Sequence, residues 1–297
     1  MLQFLPATLR GCILVLLYFF NTLWCFLAIL IVSFLKMIIP VTGWRDLCTV
    51  VLKWLAERWV GINALSTRLV NRVTWDVEGL SGLENNRWYL VVSNHQSWTD
   101  ILVLQTIFYK KIPFLKFFLK KELIWVPLLG FAWWALDFPF MKRYSASFLK
   151  KNPHLAGKDL ETTRKACMKF KKIPVSIMNF VEGTRFTPEK HKRQESPHAG
   201  LLRPKAGGVA FVLGAMGEHL DAMVNVTIAY PHGKKSFWDF MCGRVDLIRV
   251  KVSTIPVNGR MTGDYFNDEA FRESFQVWLN DLWNEKDREL SALLARD

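Results

Sequence analysis

Twenty-five consecutive residues without a charge, Gly11 to Leu35, constrain this 297-residue chain more than any other feature of it. The run reads GCILVLLYFFNTLWCFLAILIVSFL and is bracketed by Arg10 and Lys36. It exceeds the roughly 20 residues that an apolar helix needs to cross a hydrocarbon core. A cleaved signal peptide has a shorter apolar core, about 7–15 residues, followed by a small-residue cleavage site that is missing here. A retained membrane anchor is expected, with Tyr18 and Trp24 suited to an interface. The polar pair Asn21–Thr22 in mid-run, and Pro40 after it, leave two forms open: a spanning helix and a re-entrant hairpin. Beyond it, Leu47, Val50, Val51, Trp54, Leu55, Trp59 and Ile62 recur at helical spacing. They fit a helix packed on the domain or one lying in the membrane interface. Residues 1–70 are read as the anchor with this interfacial helix, and residues 71–297 as a separate α/β domain.

The charge balance points the same way. Lys and Arg number 39 against 26 Asp and Glu, yet only Arg10 and Lys36 precede residue 41. A basic body beside an apolar anchor suits an anionic lipid surface, where each nearby Lys or Arg contributes about 1 kcal/mol. The positive-inside rule then puts the body on the cytoplasmic side, expected at a bacterial inner membrane, with the endoplasmic reticulum as the alternative. Nucleic-acid binding is the competing reading of such charge, but no zinc-finger spacing, RNP motif or basic zipper supports it. The cysteines at 12, 25, 48, 167 and 242 are odd in number and never form C-x-x-C. They fit reduced thiols in a reducing compartment and neither a disulfide framework nor a zinc site.

Downstream, apolar strands alternate with helices. Strands are predicted over 74–79, 87–93, 173–183, 223–231 and 244–257, and helices over 99–108, about 159–172, 204–217 and from Asp268 to near the end. The polar stretch 185–205 reads as a loop. This alternation predicts an α/β fold with a mostly parallel or mixed twisted sheet flanked by helices. Ligands in such sheets sit at the carboxyl ends of strands. Two charged motifs fall there: SNHQSWTD (93–100) and VEGTR (181–185).

A lone histidine is usually an ordinary turn residue, and Ser97-x-x-Asp100 before an apolar helix is a capping-box pattern. Taken together, His95 and Asp100 suggest more. A histidine at a strand's end can meet a carboxylate one turn into the next helix, which fixes its tautomer and raises its basicity. Such an imidazole is suited to take a hydroxyl proton near neutral pH. Neither G-x-S-x-G nor a P-loop accompanies the pair, so a substrate hydroxyl is the expected nucleophile. In the second motif Gly183 permits a tight turn and Arg185 can hold a phosphate bidentately. Glu182 is positioned to order that arginine or to accept from a substrate hydroxyl. Lys205, Lys142 and Arg143 offer further anion contacts, and the backbone N–H groups near 94–98 are candidates for an oxyanion site.

These residues carry a resemblance. Asn94-His95-x-x-x-x-Asp100 resembles the N-H-x-x-x-x-D block of the 1-acylglycerol-3-phosphate acyltransferase family, and Glu182-Gly183-Thr184-Arg185 is similar to its E-G-T-R block. Phe138 to Arg143 resembles the block between them, and Val226 to Pro231 the last one. The resemblance covers about residues 88–231 and implies that His95 is the general base with Asp100 its partner. It implies that Glu182, Gly183, Thr184 and Arg185 help bind the acceptor, with Lys142 or Arg143 in support. The reaction would move a fatty acyl group from acyl-CoA or acyl carrier protein to the sn-2 hydroxyl of 1-acylglycerol 3-phosphate, giving phosphatidic acid. No metal or redox cofactor is implied. Two departures bear on the acceptor: Val181 stands where proline usually precedes E-G-T-R, and V-T-I-A-Y is closer to the branch containing lysocardiolipin acyltransferases and some eukaryotic lysophosphatidate acyltransferases. Another lysophospholipid such as lysocardiolipin is the alternative acceptor, and a non-catalytic lipid-surface protein is the more remote reading.

Overall fold

All five residues from Tyr89 to Ser93 are buried, and so are all eight from Ala222 to Ala229. Strands hidden on both faces belong at the centre of a covered sheet. In the computed structural model, which describes residues 2–138, 140, 141, 170 and 173–296, these two strands are neighbours. The strands are β1 (Thr74–Glu78), β2 (Tyr89–Ser93), β3 (Leu115–Phe117), β4 (Leu119–Lys120), β5 (Phe140–Met141), β6 (Ser176–Phe180), β7 (Ala222–Ala229) and β8 (Leu247–Pro256). Six of them form one sheet in the order β1-β8-β7-β2-β6-β3. Only the β7–β8 pair is antiparallel, so the sheet is mixed. β4 and β5 pair separately.

The α-helices among the described residues are α1 (Ala7–Ile38), α2 (Thr42–Val70), α3 (Thr99–Phe108), α4 (Leu129–Ala135), α5 (Pro188–Arg193), α6 (Ala206–Met216), α7 (Phe237–Met241) and α8 (Glu269–Ala295). Strand side chains alternate between faces, and both faces are covered. Leu90, Val92 and Ile177 pack with Val209 and Val212 of α6 and with Phe275, Leu279 and Trp283 of α8. Tyr89, Val91 and Met178 pack on the other face with Val103, Leu104 and Ile107 of α3. α8 is capped by Asp268, whose carboxylate accepts from the Phe271 N–H at 3.0 Å, as an N-cap side chain does.

At the N-terminus α1 and α2 form an antiparallel hairpin. The contacts run in opposite chain directions: Tyr18 Oη to Thr67 Oγ1 (2.7 Å), Asn21 Nδ2 to Asn63 Oδ1 (2.8 Å), Trp59 Nε1 to Thr22 Oγ1 (3.0 Å) and Trp44 Nε1 to the Leu35 carbonyl (3.1 Å). The Asn21–Thr22 pair therefore joins two helices across their seam. By length and composition α1 is long and apolar enough to cross a membrane. Phe19, Phe20, Trp24, Ile31 and Phe34 on α1, with Val50 and Trp54 on α2, are each more than half exposed. α2 also carries Arg45, Asp46 and Arg58, together with a Lys53–Glu57 ion pair at 3.9 Å.

One expectation needs amendment and another is not reached. The stretch 185–205 contains the short helix α5, which Thr187 caps through the Lys190 N–H and Pro188 opens. The charge-rich helix expected near 159–172 lies, Phe170 apart, outside the described residues.

Candidate active site

β2 and β6 are parallel neighbours, with Ser93 level with Phe180. The loops that follow them leave the sheet side by side at its carboxyl end. The first loop is anchored by Asn94, which is fully buried. Its side-chain amide donates to the Ile228 carbonyl and its oxygen accepts from the Ile228 N–H, both at 2.9 Å. Asn94 thus continues the β2–β7 ladder through its side chain and fixes where the next residue stands.

That residue is His95. Its Nδ1 lies 2.9 Å from Asp100 Oδ2. A carboxylate only accepts, so Nδ1 carries the hydrogen and Nε2 holds the lone pair of the neutral ring. Nε2 has no hydrogen-bond partner among the described residues. The ring stacks on Phe180 with centroids 3.9 Å apart and planes 13° from parallel. Asp100 has no exposed surface. Its Oδ2 also accepts from the Gln96 N–H (2.6 Å) and the Ser97 N–H (2.9 Å), and its Oδ1 accepts from the Tyr230 hydroxyl (2.6 Å). Part of the capping-box pattern is therefore present, but the same carboxylate also holds the histidine.

Glu182 meets backbone donors and not Arg185. It is fully buried, and its two oxygens accept from the His95 N–H and the Leu202 N–H, each at 2.9 Å. It braces the loop after β2 against the loop before α6 and does not order Arg185. Burial is the largest influence on its carboxyl and pushes it up to about 7, while the two backbone donors pull the other way. The oxyanion expectation also changes. The N–H groups of His95, Gln96 and Ser97 are all engaged by these carboxylates, so they are not free to receive a developing charge.

Gly183 turns the chain at φ +68°, a conformation that suits glycine. A Cβ there would stand 3.2 Å from Lys205 Cδ, so the lysine stem runs directly past the turn. Thr184 Oγ1 accepts from Lys190 Nζ at 2.8 Å, and the same ammonium reaches the Arg185 carbonyl at 3.0 Å. Arg185 rests on the exposed ring of Trp98, with Cζ 4.2 Å from the centroid, and forms no ion pair among the described residues. Lys142 and Arg143 lie outside the described residues.

Three members of this cluster escaped the sequence reading. Phe180 stacks on His95, and Tyr230 binds Asp100 from 130 residues away. Lys234 sets its ammonium 3.4 Å from the centroid of Phe186, whose N–H in turn donates to the His95 carbonyl at 2.8 Å. Partial desolvation draws Lys234 down to about 8, against the attraction of Glu182 and Asp100. Tyr230 lay within a recognised block, but nothing local says that its hydroxyl points at residue 100. Among the described residues no cluster of three or more His, Cys, Asp or Glu is placed to hold a metal ion.

The arrangement is a buried carboxylate steadying an imidazole at a strand end, with the cations Arg185, Lys205 and Lys234 close by. Among proteins similar to this one, a mouse (Mus musculus) 1-acyl-sn-glycerol-3-phosphate acyltransferase epsilon is 22% identical over 227 residues, covering 69% of this chain and 58% of that protein. Lysocardiolipin acyltransferase 1 of Danio rerio is 23% identical over 263 residues, covering 80% of this chain and 61% of its own length. The chain thus spans about three-fifths of these curated relatives. The crystal structure of the 1-acyl-sn-glycerophosphate acyltransferase PlsC from Thermotoga maritima has the same fold, with a TM-score of 0.59 and 19% identity over 98% of this chain and 99% of that one. The family model described as Acyltransferase matches residues 74–231. That match takes in more than half of the chain, from β1 to just past Tyr230, and by it the chain belongs to the acyltransferase family.

Proposed function

We propose that this protein moves a fatty acyl group from an acyl thioester, on CoA or acyl carrier protein, to the sn-2 hydroxyl of 1-acylglycerol 3-phosphate, giving phosphatidic acid. The observation that carries this reading is the 2.9 Å contact between His95 Nδ1 and the buried Asp100 carboxylate. With Nδ1 donating, Nε2 takes the proton from the acceptor hydroxyl as its oxygen attacks the thioester carbonyl carbon. The tetrahedral intermediate collapses by breaking the carbon–sulfur bond, and the imidazolium returns its proton to the departing thiolate. The products are the ester and the free thiol, and His95 ends as it began. A base so placed is worth about 10²–10⁴ in rate, and orientation of the two substrates supplies more.

Arg185 and Lys205, joined by Lys234, are the cations that would hold the acceptor phosphate. Arg185 has no carboxylate partner among the described residues, and a planar guanidinium suits a phosphate. A second acceptor reading has its own support. The V-T-I-A-Y sequence at 226–230 and the similarity to a lysocardiolipin acyltransferase over 80% of the chain both favour a larger lysophospholipid. Incubating the purified protein with a panel of lysolipids and acyl thioesters, and reading the products by lipid mass spectrometry, separates the two. Phosphatidate as the dominant product supports the first reading, acylated lysocardiolipin supports the second, and no acylated product from any pair contradicts both.

We further infer that the α1–α2 hairpin holds the protein on the cytoplasmic face of a bilayer without crossing it. Were α1 to span, its partner would carry Lys53, Glu57 and Arg58 into hydrocarbon, where each charge costs about 2.5–3.5 kcal/mol. The exposed aromatic face of α1 instead suits burial at the headgroup boundary. Phe20→Glu with Trp24→Glu should release the protein from anionic vesicles in a sedimentation assay. Undiminished binding by that variant would remove this face from the account.

A further inference from the structure

Asp100 is held unequally. Its Oδ2 takes three hydrogens, from His95 Nδ1, the Gln96 N–H and the Ser97 N–H. Its Oδ1 takes one, from the Tyr230 hydroxyl at 2.6 Å, and Asp100 has no exposure to water that would supply another. A buried carboxylate oxygen without a donor is costly, and a hydrogen bond to an ionised group is among the stronger kinds. Tyr230 therefore controls one half of the carboxylate that orients the candidate base.

We infer that Tyr230 is a positioning residue, which holds the Asp100 carboxylate and through it the His95 ring in the reactive arrangement. The inference rests on the acid–base reading above. Three observations carry it. Tyr230 is only 5% exposed, so its ring is clamped by the core and its hydroxyl has one direction to point. It sits just past β7, two residues after Ile228, which receives the Asn94 side chain. One strand end thus fixes both the loop that bears His95 and the carboxylate that aligns it. Burial and the neighbouring Asp100 charge hold the phenol well above its ordinary range, so it stays a hydrogen donor at every working pH.

The consequence is a change in titration. The charged or titratable groups around Asp100 are His95, Glu182, Lys234 and Tyr230. In the active state the His95–Asp100 pair carries one net negative charge, and it becomes neutral on taking up a proton. Tyr230 donates to the negative state more strongly, so removing the hydroxyl favours the proton-loaded state of the pair.

Tyr230→Phe keeps the ring and removes one oxygen. The expected result is a fall in kcat of about ten- to a hundredfold, with the KM of both substrates nearly unchanged. The ascending limb of the pH–rate profile should move to higher pH. In an Asp100→Asn background the same substitution should cost less than about threefold, because its effect passes through Asp100. A Tyr230→Phe protein with wild-type kcat and pH profile would overturn the inference. So would a loss of activity with an unmoved limb, or one that recurs in full beside Asp100→Asn, since either marks a packing role. His95→Ala assayed in parallel keeps the two levels apart. An active His95→Ala defeats the acid–base reading itself, whereas an inactive one beside an unaffected Tyr230→Phe defeats only this inference.

Discussion

Two buried carboxylates with different partners organise the site at the scale of single residues. Asp100 faces the imidazole and a phenol, whereas Glu182 faces two backbone donors from separate loops. Burial lifts the Glu182 carboxyl from 4.5 to about 7. A carboxyl with a raised folded pKa adds stability that is fully present below its unfolded pKa and is lost as pH rises through the folded one. Glutamine cannot ionise, so the gap in melting temperature between wild type and Glu182→Gln should shrink as pH rises from about 4.5 to above 7. A gap that stays constant across that window would contradict the assignment. Arg185 makes a different prediction. Its guanidinium lies on Trp98 with no acid to hold it among the described residues, placed to meet a phosphate. Arg185→Ala should raise the KM for lysophosphatidate about tenfold or more with kcat little changed, as loss of a charge-assisted contact implies. An unchanged KM would remove Arg185 from the acceptor site.

Secondary-structure elements decide which of these residues can meet. β2 and β6 bring the two motif loops together because they pair in parallel with Ser93 level with Phe180. Much of this was legible in the sequence. The apolar run before His95, the helix from Thr99 and the β-branched strand before Glu182 all have strong local patterns, and α3 occupies the residues expected of it. What escaped was either short or long-range. α5 has a capping threonine and a first-turn proline, but its residues PEKHKR show no apolar periodicity to draw attention. β3 is three residues long at the sheet edge, inside a basic and aromatic stretch. The placing of Phe180 and Tyr230 against His95 and Asp100 comes from sheet order, which no local pattern encodes. In the hairpin, Asn21 was legible as an anomaly, and its partners on α2 explain it. Asn21→Ala removes the bonds to Asn63 and to the Trp59 carbonyl. It should lower stability by about 1 kcal/mol in detergent melts while leaving turnover intact. An unchanged melting temperature would show that the seam does not depend on this contact.

Over the whole molecule, the chemistry and the location proposed above fit one another. A hairpin with one long apolar helix precedes a domain in which both sheet faces are covered, leaving the strands' carboxyl ends to carry function. Of the net charge of +13, the hairpin carries six basic and two acidic residues and the rest of the chain +9, a balance that suits the anionic lipid surface proposed above. The central claim is that an imidazole steadied by Asp100 draws a proton from a glycerol hydroxyl at that surface. The most direct measurement is phosphatidate formation from lysophosphatidate and an acyl thioester, by purified wild type and by His95→Ala of equal fold and amount. Steady product from wild type, with a loss of about 10²–10⁴ in rate for the variant, is the result predicted here. Equal turnover by the two proteins would contradict it.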